Sequence, residues 1–295
     1  MPTKELTLPE LMARFGSEDA CHEALEEMRW PDGVACPRCG STAISRIVKR
    51  RQFDCDGCRY QFSVRVGTIF QKSKLPLSTW FLAVYLMVES RKSVSANQLK
   101  RMLGVTYKTA WLLCHKIRQA MFDEDATPLD GIVEVDETFI GGKKAGAHGS
   151  KDKTIVMGAA ERDGRIRLKV VPNRGRKEAR DFFDEYIGEA DAVYTDKLQS
   201  YKGAAKTRKL THGTVDHSRK EWINGKIHTN TIEGVWSLLD RSIIGAYHKV
   251  STKHLPAYLH EVEWRYNNRD NPYLFRDTIL ELIDCKPMEY AKLTA

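Results

Sequence analysis

Long apolar runs are absent from this sequence of 295 residues. The longest, WFLAVYLMV at 80–88, has nine residues, whereas a membrane-spanning helix needs about 20. The N-terminal stretch MPTKELTLPELMARF alternates acidic and apolar residues and is unlike a signal peptide. The sequence also lacks a GxxxxGK[ST] phosphate loop, so ATP binding is not indicated. We therefore predict a cytoplasmic protein with no membrane partner.

Acidic residues are scarce in one segment of the chain. Residues 42–122 contain fifteen basic but only three acidic side chains, whereas residues 1–41 carry a net charge of −4 and residues 123–295 are neutral. A basic block beside a neutral domain is typical of a module that binds a polyanion. The alternative is a solvated surface with no partner, because surface charge is common.

Cysteine is limited to seven residues, and four of them form two CxxC pairs. Cys36 and Cys39 are separated from Cys55 and Cys58 by fifteen residues. This spacing predicts one structural zinc ion held by four thiolates. Disulfides are the alternative, but a cytosol keeps thiols reduced. Alternating basic, aromatic and β-branched residues around the second pair predict the short strands of a zinc ribbon.

A helix-turn-helix is predicted within residues 93–122. Ser95 is suited to cap a first helix that Gly104 ends, and Thr106 is suited to cap a second. Two helices joined by a short turn with glycine are the layout of this motif, although plain helix packing is the alternative. The second helix of such a motif enters the major groove of double-stranded DNA. The side chains expected to contact DNA are Tyr107, Lys108, His115 and Arg118.

After residue 127 the pattern predicts three strands, a helix and a fourth strand. The first strand contains IVEVDETFIGG, and the next two form a hairpin, near 154–161 and 166–171, with Asp163-Gly164 as its turn. A helix at 176–188 precedes a strand that stops at Asp196. This order matches the start of a ribonuclease H-like mixed sheet, whose first and fourth strands lie side by side and each carry a carboxylate.

Carboxylates in the first strand are costly to bury unless they are paired, neutralised or bound to metal. Alternation with a period of two places Glu134 and Asp136 on one face and Val133 and Val135 on the other. A surface acid paired with Lys or Arg is the alternative interpretation for any single carboxylate.

A third carboxylate is expected from the helix predicted at 228–245, in which Glu233 lies one turn after the start. If Asp136, Asp196 and Glu233 converge, they can hold two divalent cations about 3.5–4 Å apart for phosphodiester chemistry. Oxygen ligands favour Mg²⁺, and we expect Mn²⁺ to substitute for it.

The order of these pieces resembles the DDE-type transposases of bacterial insertion sequences that carry an N-terminal zinc ribbon. The resemblance rests on the paired cysteines, the helix-turn-helix, and the segments VEVDETFIGGK, VYTDKLQSY and HTNTIEGVWSLLDRSIIG, and it extends over roughly 20–280. It implies a ribonuclease H-like core, two magnesium ions and a place at the bacterial nucleoid. It also implies cleavage and joining of DNA at the element's terminal inverted repeats. Two ends must be cut together, so we expect a homodimer or a larger synaptic complex. The resemblance assigns catalytic roles to Asp136, Asp196 and Glu233.

The third catalytic position has alternatives. Some members of this group use Asn in place of the glutamate, which makes Asn230 a candidate, and His228 is a candidate for contacts with a phosphate or with the carboxylates. Members also commonly carry Lys or Arg seven residues after the glutamate. Asp240 occupies that position here, and Arg241, about 100° further round the helix, is the candidate replacement.

The predicted fold class is α+β with several domains. Residues 1–70 are expected to form helices and the zinc ribbon, 71–125 the helix-turn-helix, and 126–295 a ribonuclease H-like α/β catalytic domain with C-terminal helices. The predicted function is that of a transposase. A DNA-binding protein that has lost catalysis is one alternative, which Asp240 favours, and a structure-specific nuclease or resolvase on the same core is another.

Overall fold

The chain folds into two compact units, formed by Met1–Met121 with Asp270–Ala295 and by Phe122–Arg269. We call them the split unit and the sheet unit. The computed structural model describes residues 6–90, 93–123, 126–141, 153–216 and 223–294. Within these ranges, no helix combines the length and the apolar character that crossing a membrane requires.

The split unit begins with two helices and a small antiparallel sheet. Helix α1 covers Leu8–Phe15 and α2 covers Glu18–Arg29, and Thr7 and Ser17 cap them. The sheet has the order β1-β2-β3, with strands at Ile44–Ile47, Gln52–Cys55 and Gln61–Phe62. The rings of Phe53 and Phe62 pack against Trp30 beneath this sheet.

Three further helices follow, α3 at Leu77–Glu89, α4 at Ala96–Leu103 and α5 at Tyr107–Ala120. The predicted caps are confirmed. The Ser95 hydroxyl accepts from the Gln98 N–H, and the Thr106 hydroxyl accepts from the Thr109 N–H. Gly104 ends α4 with φ of 67°, a left-handed conformation that glycine adopts without strain. The turn between α4 and α5 is therefore short.

The end of the chain returns to the split unit. Helix α10 at Leu274–Asp284 packs against α3 and α5, and α11 at Tyr290–Thr294 follows it. The Phe275 ring contacts Phe15 and Phe81. The sequence-based division places residues 270–295 with the catalytic domain, whereas these aromatic contacts join them to the N-terminal helices.

The sheet unit is built on a five-stranded mixed sheet of order β6-β5-β4-β7-β8. Strands β4 and β5, and β5 and β6, pair antiparallel, while β4 with β7 and β7 with β8 pair parallel. The strands cover Leu129–Ile140, Thr154–Glu161, Ile166–Val171, Ile187–Thr195 and His212–Thr214. The predicted mixed sheet is confirmed.

Helices cover both faces of this sheet. On one face, α6 at Arg176–Tyr186 and α7 at Gln199–Thr207 pack against odd-numbered β4 residues such as Val133. On the other, α8 at Asn230–Ser242 and α9 at Leu255–Asn267 pack against β5 and β6. A two-stranded hairpin, β9 at Ile223–Asn224 and β10 at Ile227–His228, precedes α8, and a π-helical turn at Ile243–Tyr247 follows it.

The predicted bounds of β5 and β6, near 154–161 and 166–171, agree with the structure. The Glu161 N–H donates to the Arg165 carbonyl, so the turn between them has three residues, 162–164, instead of two, with Asp163 at φ of 57°. One helix boundary differs from the sequence-based expectation. Helix α6 ends at Tyr186, not at Gly188, because β7 begins directly afterwards and pairs with β4. Gly188 lies in that strand, at a position where a Cβ atom would collide with Asp130 Oδ1.

Side chains of α9 occupy the outer edge of β6. The Asn267 side chain accepts from the Ile166 N–H over 2.8 Å and donates to its carbonyl over 3.2 Å. Glu263 accepts from the Leu168 N–H, and Arg269 donates to the Gly164 carbonyl in the preceding turn. Unpaired strand edges invite association, and α9 supplies partners to this one from its own chain.

Candidate active site

The first strand of the mixed sheet sends alternate side chains into two environments. Val133 and Val135 are fully buried in the core beneath α6 and α7. Glu134 and Asp136 lie on the opposite face, where both hydrogen-bond to α8. The predicted division of β4 into an apolar face and an acidic face is confirmed.

Three carboxylates meet where β4 and β7 lie side by side. Val135 pairs with Thr195 in the parallel register, so that Asp196 follows β7 next to Asp136. One oxygen each from Asp136, Glu137 and Asp196 can be chosen such that all three lie within 4.8 Å of one another. The two aspartates expected from the sequence therefore come together, and Glu137 joins them.

Asp136 is held by the indole of α8. The Trp236 Nε1–H donates to Asp136 Oδ2 over 2.9 Å. Burial raises the pKa of Asp136 to about 7, an effect to which the charges of Glu137 and Asp196 add and which the Trp236 hydrogen bond opposes. This carboxylate is thus unusually costly to ionise without a cation nearby.

Glu137 was not expected at the site, and it points toward α7. Its two carboxylate oxygens accept from the Tyr201 hydroxyl over 2.7 Å and from Arg174 Nη1 over 2.9 Å. Burial, together with the Glu137 charge, raises the pKa of Tyr201 well above its usual range, so Tyr201 remains a donor. The one sequence signal for Glu137 was its position directly after Asp136.

Asp196 occupies the loop between β7 and α7. Its Oδ1 accepts from the Leu198 N–H over 2.9 Å, which fixes the orientation of the carboxylate. The preceding Thr195 hydroxyl lies 2.9 Å from His212 Nε2 on β8. Local backbone and a neighbouring strand therefore hold this acid at the sheet end.

The residues expected from α8 are not part of the three-carboxylate cluster. Glu233 accepts a hydrogen bond from the Thr229 hydroxyl over 2.9 Å. Asn230, Asp240 and Arg241 are exposed along the same helix. The side chain of α8 that contacts Asp136 is Trp236, one turn after Glu233.

His228 lies beside a different carboxylate. Its Nδ1 is 3.1 Å from Glu134 Oε1, and Glu134 is fully buried against the start of α8. The structure therefore places His228 with Glu134, which sequence reasoning left without a role.

The acidic cluster has the donor set that suits magnesium. Its ligand atoms are all carboxylate oxygens, which Mg²⁺ prefers. Burial and, to a lesser extent, the charges of Glu137 and Asp196 raise the pKa of Asp136, so its ionised form is costly at this site. A divalent cation would remove this cost, so Asp136 and Asp196 fit such an ion.

The four CxxC cysteines form a second candidate metal centre. The sulfurs of Cys36 and Cys58 lie 3.7 Å apart, and those of Cys39 and Cys55 lie 3.5 Å apart. Four thiolates around one tetrahedral zinc, with Zn–S bonds of about 2.3 Å, stand about 3.8 Å from one another. The cluster thus has nearly the dimensions that a zinc ribbon requires.

The residues expected to contact DNA divide into two groups. Tyr107 is 49% exposed at the start of α5. Lys108 is also exposed, with its Nζ 4.2 Å from the centre of the Tyr290 ring. His115 and Arg118 are only 1% exposed, because the later turns of α5 pack against α3 and α10. The expectation that these two side chains face a DNA groove therefore does not agree with their burial.

Comparisons with known proteins agree with this architecture. Residues 128–267 match the ISXO2-like transposase domain, and residues 16–61 match the transposase zinc-ribbon domain. A protein of the transposable element ISH50 from Halobacterium salinarum is 30% identical over 276 residues, which cover 85% of this chain and 91% of that protein. The chain carrying the β4–β7 acidic cluster and the four-cysteine ribbon belongs to the family of ISXO2-like transposases.

Proposed function

We propose that this protein binds the terminal inverted repeats of an insertion sequence and catalyses two-metal DNA cleavage and strand transfer. The observation that carries the proposal is the approach of Asp136, Glu137 and Asp196 at the end of two parallel strands. The strand order also resembles that of a ribonuclease H-like sheet, whose first and fourth strands are neighbours.

The residues of the site have distinct tasks under this proposal. Asp136 and Asp196 hold the cations, while Trp236 and the Leu198 N–H orient their carboxylates. Glu137 is already paired with Arg174 and Tyr201, so it contributes mainly negative potential. Bound magnesium would activate a water or a 3′ hydroxyl as nucleophile and stabilise the leaving oxygen.

The third ligand is proposed to come from the first turn of α8. Glu233 and Asn230 both lie there, and each offers a side-chain oxygen. The Thr229 hydroxyl donates to Glu233 over 2.9 Å, and a hydrogen bond of this kind contributes about 0.5–1.5 kcal/mol. His228 is proposed to act through its contact with Glu134. Arg241 is exposed on the same helix, suited to a DNA phosphate.

DNA engagement is proposed to begin at the short turn between α4 and α5. Recognition helices read base edges with their first residues, and Tyr107 and Lys108 are the exposed residues at the start of α5. The basic side chains of the zinc ribbon would add contacts to DNA phosphates. Because two element ends are processed together, we expect the active form to be a homodimer or a larger synaptic complex.

The test uses full-length, zinc-loaded protein and duplex DNA that carries an element end. Asp136→Asn and Asp196→Asn should each abolish cleavage and joining while end binding remains, since two-metal catalysis needs both charges. Asp191→Asn is the matched control, because Asp191 lies on the same β7 strand but is exposed. Cleavage that survives Asp136→Asn, or that proceeds without added divalent metal, would contradict the proposal.

The third ligand is decided by two variants of α8. Loss of activity in Glu233→Gln with survival of Asn230→Ala assigns the role to Glu233, and the reverse pattern assigns it to Asn230. Replacement of magnesium by Mn²⁺ should preserve activity. A protein that only binds DNA has no use for three half-buried carboxylates this close together, one of them costly to ionise, so the cluster argues against that alternative.

A further inference from the structure

We infer that Glu134 is the positioning residue that seats α8 against the sheet and thereby sets the place of the helix's metal-ligand candidates relative to Asp136. The inference rests on the metal site proposed above. Glu134 is fully buried, and it lies two residues before Asp136 on the same face of β4. One strand would therefore carry both a metal ligand and the anchor of the helix that must supply another.

The start of α8 donates directly to Glu134. Its Oε2 accepts from the backbone N–H of Thr231 over 2.7 Å and of Ile232 over 3.2 Å, and its Oε1 accepts from the Thr231 hydroxyl over 3.1 Å. The first N–H groups of a helix have no acceptor within the helix, and this end is electropositive. A carboxylate from β4, 97 residues earlier than Thr231, therefore caps α8.

The local sequence does not provide this cap. Thr229 precedes the helix, but among the described residues its side chain makes no capping hydrogen bond to the start of α8. Its hydroxyl instead donates to Glu233. Glu134 therefore attaches the first turn of α8 to the sheet, whereas a local cap would stabilise the helix without attaching it.

Arg162 and His228 complete the surroundings of Glu134. Arg162 Nε donates to Glu134 Oε1 over 2.9 Å, and Arg162 Nη2 donates to the His228 carbonyl over 3.3 Å. The Arg162 guanidinium also lies over the Tyr194 ring, 4.9 Å from its centre. Tyr194 is the residue of β7 that pairs with Glu134 of β4. The buried charge is therefore paired, and the chain entering α8 is attached to the same group.

This arrangement affects more than the stability of the helix. Asn230 and Glu233 flank the two backbone donors that Glu134 holds. A shift of that turn would move both candidate ligands relative to Asp136. Groups that orient metal ligands typically affect metal affinity by about 10–100-fold when they are mutated.

The experiment measures Mn²⁺ binding to the full-length, zinc-loaded protein by electron paramagnetic resonance. Glu134→Gln should weaken Mn²⁺ binding about tenfold. The same substitution is then made in a background that removes both candidate ligands of α8, Asn230→Ala with Glu233→Gln. There it should cause no further loss, because Glu134 acts through the helix ligands.

Three comparisons make the result decisive. Glu261→Gln is the matched control, because Glu261, on α9, is an equally buried carboxylate of the sheet unit and accepts a hydrogen bond from the Tyr247 hydroxyl. This variant should keep the wild-type affinity for Mn²⁺. Wild-type affinity in Glu134→Gln, or equal losses in both backgrounds, would overturn the inference. Unchanged affinity in Asp136→Asn would instead refute the proposed metal site itself.

A milder variant covers the case in which Glu134→Gln does not fold. Thr231→Val removes the hydroxyl donor and keeps both backbone donors to Glu134. It should produce a smaller loss of Mn²⁺ affinity that also disappears in the Asn230→Ala, Glu233→Gln background. Wild-type affinity in Thr231→Val would count against the inference.

Discussion

Asp136 and Trp236 are joined by a hydrogen bond of 2.9 Å between a strand carboxylate and a helix indole. The residue paired with Asp136 across β4 and β5 is Gly158, and the Trp236 ring lies over that glycine. A Cβ atom at position 158 would lie 2.8 Å from Trp236 Cζ2 and 2.9 Å from Leu168 Cδ2. The missing side chain of Gly158 therefore makes room for the indole that orients Asp136.

Gly158→Ala should destabilise the protein and displace Trp236, because an overpacked core costs about 1–3 kcal/mol. Urea unfolding measures the loss. Gly203→Ala is the control with the opposite expected sign, since Gly203 lies within α7 with open space around its Cβ position and alanine favours a helix by about 1 kcal/mol. Equal stability of the two variants would show that the Trp236 ring does not occupy the space over Gly158.

Asp136→Asn should stabilise the protein at neutral pH when no magnesium is added. The native carboxyl holds its proton up to about pH 7, whereas its ordinary pKa is 3.8. Between these values the native state binds more protons than the unfolded chain, so wild-type stability falls as pH rises. Asparagine does not titrate, and its advantage should grow by on the order of a few kcal/mol from pH 4 to pH 7 and then level off.

The measurement for Asp136→Asn is urea unfolding of zinc-loaded protein between pH 4.5 and pH 8. Asp191→Asn, on the exposed part of β7, keeps Asp136 and should therefore show the same fall in stability with rising pH as the wild type. Added magnesium should stabilise the wild type and leave Asp136→Asn unaffected. An advantage of Asp136→Asn that is the same at every pH would contradict the burial argument.

Many features of the fold and of the two candidate metal sites could be predicted from local sequence patterns. The paired cysteines, the caps Ser95 and Thr106, and the two-sided β4 strand are all confirmed, because spacing, capping chemistry and strand alternation are short-range properties. These rules act within a few residues of the chain. They therefore predict elements and the faces of elements.

What local patterns did not predict depends on residues far apart in the chain. Glu134 caps α8 across 97 residues, and Tyr201 bonds Glu137 across 64. Arg118 looked like a DNA contact on an isolated helix, but α10, more than 150 residues later, packs against α5. The helical periodicity of α5 is the same whether the face that carries Arg118 contacts DNA or another helix, so this periodicity could not predict which of the two it contacts.

Zinc should be lost on substitution of one ribbon cysteine. Cys39→Ser should lower the zinc content from about one per chain to nearly none and unfold β1, β2 and β3, since structural zinc supplies the folding energy of small ribbons. Metal analysis with circular dichroism measures both effects. Cys285→Ser, outside the four-sulfur cluster, should keep its zinc. A folded ribbon in Cys39→Ser would refute the structural role of the metal.

Lys108→Ala should weaken DNA binding, whereas Arg118→Ala should lower the stability of the protein. Removing exposed Lys108 should weaken binding to an element end and reduce the salt slope by about 1, because one phosphate contact is lost. Arg118 is 1% exposed, so Arg118→Ala should lower the unfolding temperature instead. Binding isotherms at several salt concentrations, with thermal unfolding, separate the two. A stable Arg118→Ala protein with a reduced salt slope would show that Arg118 reaches DNA.

The covering of β6 by α9 has a consequence for assembly. Asn267 occupies both the N–H and the carbonyl of Ile166, and Glu263 occupies the N–H of Leu168. A strand from another subunit would have to displace these side chains before it could extend the sheet there. Extension of the sheet from chain to chain at this border would therefore cost the hydrogen bonds that Asn267 and Glu263 make to β6.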